Sequence, residues 1–173
     1  MHRIADVIYS ASVLGWDQET YLPPKGAGFR AGQLSTLSGI SHELFTGDRT
    51  RELLNQLKTN HQLNDIQKRN LELVEEEYLK QKKYSTEFVE QMSHAVSAAF
   101  NAWQQAKKEN NYKLFAPHLE KLIGFKKKEA DLLGYEGHPY NAMLDLHEKK
   151  RRLLSSTCFL QMCVNSSFRL LKK

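Results

Sequence analysis

The sequence predicts an all-α fold, an antiparallel bundle of about six or seven helices. Three observations carry this. Only four Pro and nine Gly punctuate 173 residues, so long stretches run free of helix breakers. Apolar residues recur at helical spacing from Ile4 to His147. No stretch alternates with the period of two that a half-buried strand requires.

The elements follow in chain order. Ile4, Val7, Ile8 and Ala11 share one face of a first helix. Tyr21 to Gly28 holds Pro23, Pro24 and two glycines and reads as a loop. Leu37, Ile40 and Leu44 recur at i, i+3 and i+7 in a second helix. Gly47 is expected to stop it in a left-handed conformation, with Asp48 capping a short helix after it. Asn64, with Gln67 three residues on, is a capping-box signal. Leu71, Val74 and Tyr78 then fall on one face, opposite Glu and Lys. Ser85 or Thr86 caps a long helix with Phe88, Met92, Ala95 and Ala99 on one stripe and Val96, Phe100 and Trp103 beside it. Asn110-Asn111 ends it. Pro117 is expected in the first turn of the next helix, where its missing N–H costs nothing. Leu119, Ile123, Ala130 and Leu133 form that helix's buried stripe and Gly134 closes it. Gly137-His138-Pro139 is a turn, and Tyr140, Met143, Leu144 and His147 begin a last helix.

Charge divides the chain. The formal net charge is +5, yet residues 149–173 hold seven Lys or Arg and no acidic residue. Residues 1–148 hold 18 basic against 20 acidic residues, a net of −2. The expected organisation is therefore a helical body, 1–148, and a basic tail, 149–173. Nucleic-acid binding is not expected, because the basic residues cluster at the two ends of the tail with no aromatic interleaving. Leu153 to Phe168 is too short and too polar to span a bilayer, so no membrane partner is expected either. Both cysteines, Cys158 and Cys163, lie in the tail, which argues against a disulfide-stapled secreted domain. The default compartment is the cytoplasm.

Candidate chemistry is sparse. A zinc-peptidase helix places two His four apart with a Glu between them, because i and i+4 share a face. His42-Glu43 and His147-Glu148 each lack the second His. Cys158 and Cys163, five apart, point about 140° from one another on a helix. Trp16 is expected in the core, with Asp17 accepting a backbone N–H where the chain turns into the proline loop. The Lys126 to Lys128 run reads as a solvated helix face. No catalytic, cofactor-binding or metal-binding residue is assigned on this basis.

Two blocks carry a family resemblance. The first is Leu14-Gly-Trp-Asp-Gln-Glu-Thr-Tyr-Leu-Pro23, followed by Gly26-Ala-Gly-Phe-Arg30 and Gln33-Leu34. The second runs through Trp103 to Ala106, Phe115-Ala-Pro-His-Leu119, Lys127-Lys-Glu-Ala130, Leu133-Gly-Tyr135 and Pro139-Tyr-Asn-Ala-Met-Leu-Asp145 to Glu148. Together they resemble the N-terminal part of the carboxypeptidase Taq family of thermostable zinc metallocarboxypeptidases, over about residues 4–148. The resemblance implies a larger helical peptidase of about 500 residues, in which these helices form part of a wall over a zinc site. It also implies about one further helix before Ile4. The family's His-Glu-x-x-His helix, its third metal ligand and its carboxylate-gripping motifs lie downstream of the matched segment.

The expectation is accordingly an N-terminal fragment, inactive alone and without zinc of its own. The alternative is a helical protein-interaction module. After Glu148 the family's Glu-Pro-Gly pattern gives way to Lys149-Lys-Arg-Arg152, so the tail is expected to stem from a frameshift or an aberrant gene end. Exposed apolar helix faces, with Phe88, Met92, Val96, Phe100 and Trp103 on one helix, predict a homodimer or small oligomer; dimeric relatives raise that expectation.

Overall fold

The computed structural model describes residues 2–149. They form seven α-helices: α1 (His2–Thr20), α2 (Ala27–Thr46), α3 (Asp48–Lys58), α4 (Asp65–Gln81), α5 (Thr86–Lys108), α6 (Tyr112–Leu133) and α7 (Tyr140–His147). One 3₁₀ turn, Pro24–Gly26, stands between α1 and α2. There is no strand among the described residues. The tail with Cys158 and Cys163 lies outside them.

The chain divides into two units, Met1–Phe125 and Lys126–Lys173, with the boundary inside α6. In the first unit α2 is the central helix and packs on α1, α3, α4 and α5. It runs antiparallel to α1, since Arg30 pairs with Asp17 while Ser41 and Phe45 share a groove with Ile4 and Ile8. It also runs antiparallel to α5, with Ser38 against Ser93 and His42 against Thr86.

The buried face of α2 is small and polar. Ala31, Gly39, His42 and Thr46 are buried, while Ile40 is exposed. The Leu37–Ile40–Leu44 spacing marked a helix but not its packed side. Small residues let the α2 and α5 backbones approach, and their hydroxyls pair across the seam: Ser35 donates to the Glu90 carbonyl at 2.8 Å and Ser38 to Ser93 at 2.9 Å. Gly39 sits directly beneath the Glu90 side chain, where a Cβ would stand 2.1 Å from the carboxylate. On α5 the expected stripe holds, with Ala95 and Ala99 buried and Phe88 and Met92 half-buried. Val96 and Trp103 are exposed.

Several boundaries differ from expectation. The loop after α1 is shorter, because Pro24–Gly26 is already a 3₁₀ turn and Gly28 lies within α2. Gly47 is extended, φ −70° and ψ 166°, and is itself the N-cap of α3. Asp48 is the first helical residue and gives no capping bond. The capping box at α4 is complete: the Gln67 N–H donates to Asn64 Oδ1 at 2.9 Å and the Asn64 N–H to Gln67 Oε1 at 3.0 Å. Ser85, not Thr86, caps α5 and accepts from the Phe88 N–H. Asn110, at φ 50°, turns the chain out of it. Pro117 stands inside α6, which already begins at Tyr112. Phe125, edge-on to Phe88 at 5.8 Å, is buried, whereas Ile123 of the expected stripe is exposed.

In the second unit Ala130 and Ala142 are buried and Lys126 pairs with Glu129. Lys126, Lys127 and Lys128 are exposed, as a solvated face requires. Gly134, at φ +81°, ends α6 in the left-handed conformation, and its N–H reaches the Ala130 carbonyl at 2.9 Å. Tyr140 opens α7 as expected.

Candidate functional site

The residues of the first sequence block converge on Arg30. Its Nη1 lies 2.6 Å from Asp17 Oδ2 and donates to the Leu14 carbonyl at 2.7 Å, while its Nε donates to Gln33 Oε1 at 2.9 Å. One guanidinium thus ties the last turns of α1 to the first turns of α2, and the planar fork suits three acceptors at once. The Asp17 side chain is the ion-pair partner; its carbonyl, rather than its carboxylate, receives the Tyr21 and Leu22 N–H groups at 3.0 Å. Trp16 is not in the core. It is exposed and meets the exposed Tyr21 edge-on at 5.5 Å. The helix turns its buried side the other way, through Gln18, which accepts the Ser97 hydroxyl at 2.7 Å.

An apolar groove of about 850 Å³ lies between α1, α2, α4 and α5. Ile8, Ala11, Leu37 and Phe45 wall it, and His42, Ser41 and Glu77 edge it. His42 is buried, with Nε2 3.0 Å from the Gln81 carbonyl and Nδ1 3.4 Å from Thr86 Oγ1. Both ring nitrogens are therefore occupied in tying α2 to the end of α4 and the start of α5. Sequence reasoning missed this seam, although Ser35, Ser38, Gly39 and His42 recur at i, i+3, i+4 and i+7. Small polar residues at helical spacing are the signal that would have found it.

His147 and Glu148 are exposed at the end of α7. Among the described residues no group of three His, Cys, Asp or Glu side chains is placed to hold a metal ion.

The chain is similar to known proteins over most of its length. A family model described as carboxypeptidase Taq (M32) metallopeptidase matches residues 1–159. The chain belongs to that family. The M32 match continues past Glu148 into the basic tail. Thermostable carboxypeptidase 1 of Pyrococcus furiosus is 33% identical over 150 residues, which is 87% of this chain and 30% of that protein. Carboxypeptidase 1 of Bacillus subtilis is 34% identical over 149 residues, 86% of this chain and 30% of that protein. The solved BsuCP structure superposes with a TM-score of 0.86 at 32% identity, covering 92% of this chain and 32% of that one. The chain thus spans about 30% of the length of the curated M32 relatives it matches. What it shares with the solved BsuCP structure is the helical fold of the matched segment.

Proposed function

We propose that this chain supplies the N-terminal helical layer of a metallocarboxypeptidase and does not remove C-terminal residues from peptides on its own. The observation that carries the reading is the coincidence of a family match over 1–159 with the lack of a metal-holding group among the described residues. In the complete enzyme, zinc would lower the pKa of a bound water and so generate the attacking nucleophile. This layer would brace the groove in which a peptide lies.

The cytoplasm belongs to the same proposal. Residues 2–149 contain no cysteine, so the described fold needs no disulfide and suits a reducing compartment. No helix of the described residues is long and apolar enough to cross a membrane.

The test is a peptidase assay on the purified 173-residue chain with unblocked peptides, with and without added zinc or cobalt. No release of free amino acid is expected in either case. Metal-dependent release that co-purifies with the chain and stops on chelation would refute the reading.

A further inference from the structure

The α3–α4 hairpin is tied to α2 at one end. The Thr46 carbonyl, at the end of α2, accepts from Lys82 Nζ at 3.1 Å and from the Tyr78 hydroxyl at 3.5 Å. His42 Nε2 lies 3.0 Å from the Gln81 carbonyl, and Thr50 Oγ1 donates to the Leu44 carbonyl at 3.1 Å. The Tyr78 ring meets Phe45 edge-on at 6.2 Å. On α2 these partners all belong to its last turns, from His42 to Thr46.

Away from this base the hairpin is open to water. Among residues 51–77 only Leu54 is buried. The two helices hold each other: Lys58 pairs with Glu75, and the capping box of Asn64 and Gln67 fixes the start of α4. Two short connections join the hairpin to its neighbours. One is Gly47 alone, extended at φ −70° and ψ 166°. The other is residues 82–85, between α4 and α5. Both stand at the base, beside the Lys82–Thr46 bond. Short connections at one end of an otherwise exposed body have the form of a hinge.

The hairpin also supplies one wall of the apolar groove. Leu37 and Phe45 of α2 form the floor, Ile4 and Ile8 of α1 one wall, and Glu77 and Gln81 of α4 the other. Ile66, Asn70, Leu73, Glu77 and Gln81 recur at i, i+4, i+7, i+11 and i+15, so the α4 wall continues toward the tip as one face. Leu73 is 39% and Ile66 74% exposed, and Ile8 on the opposite wall is 47% exposed. Bringing such groups together removes apolar surface from water and is favourable in proportion to its area. Polar groups on the two walls are already paired. The Ser12 hydroxyl donates to the Ile8 carbonyl at 2.9 Å, and Gln81 Nε2 donates to Glu77 Oε1 at 2.8 Å.

We propose that the α3–α4 hairpin is a lid. It turns about Gly47 and residues 82–85 and closes onto α1, seating Leu73 against Ile4 and Ile8. The groove is thus covered by the chain's own arm. The open position leaves its apolar lining accessible, and the closed position hides it.

Disulfide trapping tests the proposal, in the 173-residue chain with Cys158 and Cys163 replaced by Ser. A disulfide forms only where two Cα atoms come within about 7 Å of each other. I8C with L73C should therefore cross-link under mild oxidation as the lid closes. The product should keep the monomer mass and its helical circular dichroism, and it should bind less of an apolar dye than its reduced form. I8C with L57C, an exposed leucine on the other helix of the hairpin, should cross-link far more slowly. I4C with L73C repeats the test should the first pair lose helical signal before oxidation. Thiols that react with maleimide yet never cross-link would overturn the proposal. So would equal rates for Leu73 and Leu57, or dye binding unchanged by the cross-link. A cross-link that costs helical signal would also overturn it, since the hairpin would then be unfolding rather than turning.

Discussion

Ser97 and Gln18, 79 positions apart, meet as two buried side chains: the Ser97 hydroxyl donates to Gln18 Oε1 at 2.7 Å. The bond closes α1 onto α5 at the end opposite the open groove. Ser97→Ala should leave the amide oxygen of Gln18 buried without this donor. An unsatisfied buried acceptor costs about 1–3 kcal/mol. Gln18→Leu with Ser97→Ala removes both polar groups and should recover part of that loss. Urea titration followed by circular dichroism measures both, and equal midpoints for Ser97→Ala and the parent would show the bond to be unimportant.

Arg30 is the second joint. Its side chain is only 13% exposed and Asp17 is 32% exposed. Arg30→Met keeps the stem and removes three donors' worth of contact. Hydrogen bonds to charged groups contribute about 1.5–3 kcal/mol, and the loss should fall in that range. Asp17→Asn should cost less than Arg30→Met, because Leu14 and Gln33 still receive the guanidinium. The reverse order of unfolding midpoints would mean that the carboxylate, not the guanidinium, organises the corner.

Two glycines are required for different reasons. Gly134, at φ +81°, holds a conformation that Ala resists, and Gly134→Ala should destabilise by about 1 kcal/mol. Gly47 is at φ −70°, where Ala fits the backbone and would gain about 0.4–1 kcal/mol from a less entropic unfolded chain. Yet a Cβ there would stand 2.9 Å from the Glu43 carbonyl oxygen, a backbone atom that cannot swing aside. Gly47→Ala should therefore also destabilise the protein, by overlap rather than by strain in φ. A thermal midpoint at or above the parent's for Gly47→Ala would show that the α2–α3 corner can open.

These residues also show what the sequence made legible. Local chemistry was readable wherever a motif acts on its own neighbours. Asn64 with Gln67 gave the start of α4, Ser85 lay at the start of α5, and Gly134 marked the end of α6, because each bond is made within a few residues. Gly47 deceived because a glycine after a helix is most often left-handed; the close approach of the Glu43 carbonyl is invisible without coordinates. Trp16 deceived because size and apolarity suggest burial, whereas the side of α1 that packs is the one carrying Gln18. The α2–α5 seam was hidden because its residues, Ser35, Ser38, Gly39 and His42, carry little hydrophobic signal and are matched by residues about 39–55 positions away. The family resemblance saw Asp17, Arg30 and Gln33 as a pattern, and the structure supplies its physical reason in one shared guanidinium.

Pro117 gives the last prediction. A proline inside a helix removes the bond from its nitrogen to the carbonyl four residues earlier and crowds that carbonyl with its ring. In α6 that carbonyl belongs to Lys113, and the helix begins at Tyr112. The fault therefore falls on the first full turn, where few bonds depend on it. This position makes the proline tolerable without making it costless. Pro117 is itself exposed, so replacing it forfeits little packing. Pro117→Ala restores an N–H and removes the ring, and an interior proline is worse than alanine by up to about 3 kcal/mol. Against this stands a gain in unfolded-state freedom of about 0.4–1 kcal/mol. The first effect is the larger, so Pro117→Ala should stabilise the chain, by about 1–2 kcal/mol once the position near the helix start is allowed for. The check is a denaturation curve paired with amide exchange at position 117 of the variant, the parent having no N–H there. Protection of that new N–H together with a raised midpoint is the expected result. A lowered midpoint would show that the proline stiffens the α5–α6 connection more than it disturbs the helix.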